Sequence, residues 1–402
     1  MSLSCCNCNP NVEGKKEDGG LGSCVFNWSN LPDDLEVEIL SRIPDKPLIR
    51  LKCVCKSLYF LISNACAPRF SSPSPSAVFY GLLYLRGGEN FLNLPPSSGV
   101  ASIKFWRNLT ALLERCKAEH PAEHILDCCN GLFLLAFRSS NPTQYFVSNP
   151  TTSECIRIPV NPLHGDFKYS SLAFDPAVTL HYKIIRFPRV TQLLNLDVYS
   201  SETGGWACHT IAFEPVLDLG RWVQGSVYLN GVLYRLSMAK YLVCINLGLK
   251  EHTKINVKLK AQAFELPQKD EFDQCGSIGT SKGALLYFIK DNYRILIWTF
   301  DDSCCWVLKH STNFHGPIWH RPLDNIFDFY RDFRKFNFYA FHPSEDQIFL
   351  RTFCAILCYN HNTKDFYFFD LLPRYDIAIS KEYNVLPCSR CGVVLNRVIK
   401  SH

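Results

Sequence analysis

The 402-residue chain contains no uninterrupted apolar run on the order of eighteen residues, the length a membrane-spanning helix needs. Its first residues, MSLSCCNCNP, lack the basic stretch and following apolar run of a secretory leader. The protein is therefore expected inside the cell, in nucleus or cytoplasm, away from the membrane. Charge of one sign is scarce too: 42 Lys and Arg stand against 37 Asp and Glu, leaving a net +5. That balance falls short of the basic footprint of a dedicated nucleic-acid binder, so nucleic acid is not an expected partner. Twenty cysteines are too few for a disulfide scaffold, and Cys244, Cys354 and Cys358 sit inside apolar runs, as buried reduced thiols do. No H-E-x-x-H, no P-loop and no G-x-G-x-x-G opening a helix is present. Cys388 and Cys391 in CSRC and the CCNC at Cys5–Cys8 have no second pair at zinc-finger spacing. Neither a metal, a cofactor nor a catalytic residue is expected.

What is present is a chain of ordinary globular composition, 47% apolar and 20% charged, long enough for two or more units. Residues 1–28 are polar and glycine-bearing and read as a tail. Residues 29–66 read as a helical module. The serine- and proline-rich segment 67–77 reads as a linker that blocks helix continuation, and 78–402 as a single β-rich domain.

In that domain an apolar run, a polar turn and a second apolar run recur at 79–95, 145–159, 196–209, 241–255, 295–310 and 356–369. Their turns, near Gly88, Thr152, Glu202, Gly248, Asp302 and Asn362, are 64, 50, 46, 54 and 60 residues apart. Kelch-type propeller blades repeat at about 50. Further paired runs at 125–137, 225–237 and 276–289 bring the expected count to four strands per repeat. Residues 172–187 and 339–353 echo each other through A-F-x-P, a polar turn and an apolar run. The fold class expected is mainly β, an N-terminal α-helical module followed by a six-bladed β-propeller-like domain. An open sandwich is the alternative, disfavoured because ring closure removes exposed strand edges. Ser102–His120 carries Phe105, Leu109, Leu112, Leu113 and Cys116 at helical spacing and should interrupt the first blade with a helix. Closure of the ring calls for a late strand, for which Cys391–Lys400 has the alternating character.

In the helical module, Pro32 suits a helix start, Asp33 and Asp34 place negative charge in its first turn, and Leu35, Ile39, Leu40 and Ile43 read as one apolar face. Pro44 ends that helix. Leu51, Val54, Cys55, Leu58 and Ile62 make a second stripe. Two such helices are too small to enclose a core of their own, which implies a partner for their apolar surface.

The stretch LPDDLEVEILSRIPDKPLIRLKCVCKSLYFLIS, Leu31–Ser63, resembles a plant-type F-box through L-P-x-x-L, E-I-L-x-R-I-P, L-x-R-x-x-x-V-C-K-S and L-I-S in order. It departs at Leu58, where the family most often has Trp. CNGLFLLAF, VSNPTTSECIRIP, LAFDP and HYKIIRF resemble the domain that follows the F-box in plant F-box proteins. The resemblance implies a non-catalytic substrate-recognition subunit of a ubiquitin ligase. Its F-box would dock on an Skp-type adaptor, and through it a cullin and a RING protein, while its β domain holds a protein substrate. It assigns the adaptor surface to Leu31, Pro32, Leu35, Ile39, Leu40, Ile43, Pro44, Leu48, Leu51, Val54, Cys55 and Leu58. A protein- or RNA-binding scaffold, or a propeller enzyme, remains the alternative class. For the substrate, Trp319, Arg321, Arg331 and Arg334 stand out in the long segment His315–Tyr339, because Trp and Arg suit a hot spot for an acidic or phosphorylated segment.

Overall fold

The computed structural model describes residues 31–43, single positions within 51–62, 81–86, 89–93, 107–112, most of 123–371, 384–388 and 395. Helix α1 spans Asp33–Arg42. Pro32 caps it in extended conformation, and its carbonyl accepts the Leu35 and Glu36 N–H groups at 3.0 and 3.1 Å. Ile43 is already extended, φ −78° and ψ 135°. A residue before proline is pushed out of the helical region, so Pro44 stops α1.

β1 (Gly81–Arg86) and β2 (Glu89–Asn93) form a hairpin. Five four-stranded antiparallel blades follow, each a meander whose strands lie side by side in chain order. The first comprises β3 (Glu123–Cys129), β4 (Leu132–Phe137), β5 (Gln144–Asn149) and β6 (Glu154–Arg157). The second comprises β7 (Phe167–Ala173), β8 (Lys183–Pro188), β9 (Leu194–Ser200) and β10 (Gly205–Ile211). In the third are β11 (Val227–Leu229), β12 (Val232–Leu236), β13 (Tyr241–Asn246) and β14 (Lys260–Glu265). β15 (Ser277–Ser281), β16 (Ala284–Lys290), β17 (Arg294–Phe300) and β18 (Trp306–Asn313) make the fourth. The fifth holds β19 (Asn337–Phe341), β20 (Gln347–Arg351), β21 (Ala355–Asn360) and β22 (Phe366–Leu371). Finally β23 (Asn384–Cys388) pairs with β1, Leu386 opposite Leu83, to give a three-stranded sheet.

The blades stand face to face as a β-propeller, and the core lies between them rather than within any one. Leu134, Val147, Leu172 and Ile184 pack between the first and second blades, and Ile185, Leu196, Leu233 and Val243 between the second and third. Leu242, Leu285, Tyr287 and Leu296 fill the third gap, and Leu286, Ile297, Ile348 and Leu357 the fourth. A middle strand is thus covered on both faces, which is why runs such as LFLLAF are continuously apolar instead of alternating. Each such Leu, Ile or Phe contributes about 1.5–3 kcal/mol by leaving water. Outer strands such as β10 stay half exposed.

Inner strands meet around the axis: β3 packs on β7, β11 on β15, β15 on β19, β19 on β23, and β23 on β3. Their approach is close enough to demand glycine. A Cβ on Gly279 of β15 would come within 2.5 Å of Phe341 Cδ2 in the next blade. The first turn of three blades is a two-residue hairpin with both residues at positive φ: Asn130 and Gly131 at 46° and 80°, Asn230 and Gly231 at 51° and 84°, Lys282 and Gly283 at 51° and 74°. That is the mirror-image turn whose twist matches the strands it joins, and Asn-Gly favours it.

Several sequence expectations change. The run 241–255 is not one hairpin, because the partner of β13 lies at Lys260–Glu265. The closing strand is Asn384–Cys388, and Cys391–Lys400 lies outside the described residues except Leu395, which is buried among Leu172 and Phe174. Of the expected helix 102–120, residues 107–112 are helical, with Leu109 and Leu112 buried and the Asn108 side-chain amide donating to the Pro150 carbonyl at 2.8 Å. Four strands per blade and one repeat per blade are as expected in the five complete blades.

Candidate functional site

The helical module has an inside after all. Leu40 and Ile62 are 1% and 0% exposed, and Val37, Ile43, Leu51, Leu58 and Leu61 pack partly buried around them. The expected single apolar face of α1 therefore splits. Leu40 turns inward, and its burial removes it from any surface a partner could touch. Leu35 and Ile39, one helical turn apart, are 47% and 39% exposed, and Val54 is 67% exposed. Pro32 and Cys55 are exposed as well, and Leu31, Ile43, Leu51 and Leu58 are half-buried. The second stripe also divides, because the helix is broken at Val54 and Cys55. There the Leu58 N–H donates to Cys55 Sγ at 3.5 Å, so the thiol caps the turn that follows. Pro44 and Leu48 lie outside the described residues.

Trp319, Arg321, Arg331 and Arg334 lie outside the described residues too. The segment bearing them joins β18 to β19, so it belongs with the inter-blade connections.

Within the propeller, the groups that sequence reading missed are charges sealed between blades. Asp127 on β3 is 5% exposed and accepts the backbone N–H groups of Cys128 and Leu172 at 2.8 Å each, and the Ser226 hydroxyl at 3.1 Å. Ser226 lies 2.8 Å from Ser171 of β7, whose hydroxyl accepts Arg235 Nη1 at 3.0 Å, while Nη2 donates to the Val223 carbonyl at 3.1 Å. The Arg235 guanidinium also lies over Phe187, Tyr169 and Trp222, at 4.8, 5.0 and 5.9 Å from the ring centroids. Three blades are thus tied by one carboxylate and one guanidinium bridged through two hydroxyls. Burial pushes Asp127 up to about 6, against the pull of its donors and of Arg235, and brings Arg235 down to about 10. Both remain charged at neutral pH.

A second clamp joins the first and second blades. Asp197 accepts Asn161 Nδ2 at 2.9 Å and lies 3.6 Å from Arg186, whose guanidinium sits over the rings of Trp206 and Tyr145. A third joins the fourth and fifth. Asp346 is paired with Lys282, Lys309 at 3.5 Å, His361 at 3.4 Å and the Asn362 amide at 2.9 Å. The hydrogen bond from Lys282 leads the causes that hold its carboxyl well below the usual carboxylate range. In sequence the only trace of these sites is a charge inside an apolar strand, as in ILDCC or VLYRL.

Among the described residues no catalytic arrangement accompanies them. Gly279–Gly283 does spell G-x-S-x-G, GTSKG, but a strand and not a helix follows it. Ser281 is 2% exposed and gives its hydroxyl to the Glu345 carbonyl at 2.9 Å, so it lacks the exposed elbow a nucleophile needs. Among the described residues no three His, Cys, Asp or Glu side chains converge to hold a metal, and no helix is long and apolar enough to cross a membrane. Nine described cysteines are free thiols, Cys129 and Cys358 buried, Cys55, Cys208, Cys304 and Cys305 exposed.

The family model described as "F-box protein At3g26010-like, beta-propeller" matches residues 98–333, more than half of the chain, and the F-box domain model matches residues 28–67. The chain belongs to this family of F-box β-propeller proteins. F-box protein At3g26010 of Arabidopsis thaliana is 30% identical over 290 residues, 64% of this chain and 61% of that protein. At3g23950, named as an F-box protein of the same plant, is 25% identical over 296 residues, 67% of this chain and 69% of its own length. F-box protein At5g07610 is 28% identical over 219 residues, 49% of each chain. This chain thus spans between about half and about two thirds of those relatives. The F-box match at residues 28–67 covers the exposed Leu35, Ile39 and Val54, and the propeller match covers the first four blades and the two buried clamps of the first three.

One consequence of the clamp can be measured in the isolated protein. Burial makes Asp127 keep its proton to higher pH in the folded state than the ordinary aspartate value of 3.8 that it has unfolded, so between 3.8 and about 6 the folded state binds more protons. This group's contribution to stability is then fully present below 3.8 and lost as pH rises through about 6. Melting curves across that window should show Asp127→Asn losing this downward slope relative to the parent. Parallel curves for the two proteins would contradict the assignment.

Proposed function

We propose that this protein is the substrate-recognition subunit of an Skp–cullin–F-box ubiquitin ligase. The observation that carries the reading is the exposure of Leu35 and Ile39, one turn apart on α1, and of Val54, on a module whose core among the described residues is Leu40 and Ile62 with their neighbours. Such a small core leaves apolar side chains in water, and an Skp-type adaptor would cover them. Leu31, Pro32, Ile43, Pro44, Leu48, Leu51, Cys55 and Leu58 border that contact, and Leu40 supports it from inside.

The propeller has no chemistry of its own in this reading. It holds a protein substrate next to a ubiquitin-charged enzyme brought in by the cullin and RING protein, and acceleration comes from proximity. The three-stranded sheet β2–β1–β23 acts as a sixth blade, its inner strand supplied by the C-terminal part of the chain. The connection between β18 and β19, with Trp319, Arg321, Arg331 and Arg334, offers the substrate contact. The protein works in the nucleus or cytoplasm, where these partners reside.

Co-expression with an Skp-type adaptor tests the central claim. Leu35→Asp with Ile39→Asp should cut adaptor co-purification by roughly thirtyfold, from about 2 kcal/mol for an interface hot spot, with the propeller's melting unchanged. Undiminished co-purification would remove the reading.

A further inference from the structure

Among the described residues, one face of the third blade is not fully covered by its neighbours. In register across β12, β13 and β14, Val232 stands opposite Asn246 and Asn246 opposite Lys260, while Tyr234 stands opposite Cys244 and Cys244 opposite Gln262. These side chains share that face and form the floor of a cleft of about 550 Å³. Phe264 extends the floor, Phe300 and Cys304 of the fourth blade form a wall, and the cleft also reaches the opposite face of the blade, where Leu259 and Ala261 lie with Thr210 and Ile211 of β10. The volume is that of a small-molecule site, an apolar pocket with a few convergent polar groups.

The lining has a definite chemistry. Three aromatic rings gather at one side, Phe264 and Phe300 edge to face with centroids 5.1 Å apart and Tyr234 and Phe300 at 6.5 Å. Such a corner accepts a further flat ring by stacking or edge contact. Lys260 and Gln262 are exposed at the opposite side, so an ammonium and an amide face the same space. No Asp or Glu lines the cleft among the described residues. In the adjoining β17–β18 turn, Asp301 already accepts the Cys305 N–H at 2.8 Å.

We propose that this cleft binds a small planar aromatic compound bearing a carboxylate, its ring against Tyr234, Phe264 and Phe300 and its carboxylate at Lys260 and Gln262. The site is independent of the adaptor surface and of the ubiquitin-ligase reading.

Cys304, exposed at the cleft wall, supplies the measurement. In the full-length protein, labelling of Cys304 by N-ethylmaleimide is followed by peptide mass spectrometry, with exposed Cys55 in the helical module as the internal reference. The probes are 1-naphthoate and its uncharged counterpart 1-naphthamide. Naphthoate should slow Cys304 labelling about threefold more than naphthamide does, the preference expected of a half-exposed ion pair, and leave Cys55 untouched. Lys260→Gln should erase that difference without moving the melting temperature. The proposal is overturned if naphthoate does not protect Cys304, or if acid and amide protect the parent protein equally. It is also overturned if both cysteines slow together, or if only a glutamate-rich peptide protects, which would make the cleft a protein contact.

Discussion

Arg235→Leu is expected to destabilise the propeller by about 3–5 kcal/mol and to lower its melting temperature by roughly 10 °C. Arg235 is 2% exposed and, with the bridging hydroxyls of Ser171 and Ser226, answers the buried Asp127. Its removal strands a carboxylate between three blades and takes away a cation lying over three rings. Leucine fills part of the volume but restores neither. A double variant, Asp127→Asn with Arg235→Leu, should lose clearly less than the sum of the two single losses, since neutral groups then face each other. Thermal unfolding of the four proteins measures the coupling. Additive losses would show that the two charges are held separately by their own hydrogen bonds.

Ending the chain at residue 383 is expected to have the larger effect. It removes β23, which pairs over five rungs with β1 and lies between the inner strands β19 and β3. Without it the ring has a gap, two inner strands lose a packing partner and β1 becomes an open edge. Expression of this truncated chain should give aggregated protein, or a soluble one without a cooperative thermal transition. A truncated protein that melts as sharply as the parent would mean that the five four-stranded blades hold together without closure.

The difference between what could be read beforehand and what could not follows from the range of the forces concerned. Hairpins at 145–159, 196–209, 295–310 and 356–369 are legible because a strand, a short polar turn and a strand are local. The run 241–255 is not one hairpin because the partner strand lies beyond a thirteen-residue connection, 247–259, which propensity alone does not bridge. In α1, periodicity found the apolar positions and stopped there. Leu35, Ile39 and Leu40 are equally apolar as letters, and only the presence of Ile62 on one side decided that Leu40 turns inward and the other two outward.

The sequence by itself gives the order of the parts: a helical module at 29–66 whose first helix is bounded by Pro32 and Pro44, a serine- and proline-rich segment, and a long series of strands repeating near fifty residues. These rest on backbone preferences and on periodicities within a dozen residues. Only the tertiary structure decided which strand closes the ring, which charges are clamps and which face of the third blade is left open. Asp127 and Ser226 are 99 residues apart, and Gly81 of β1 pairs with Cys388 of β23. Contacts at such separations cost loop entropy that local pattern does not reveal, and they exist because the assembled blades bury their middle strands between them.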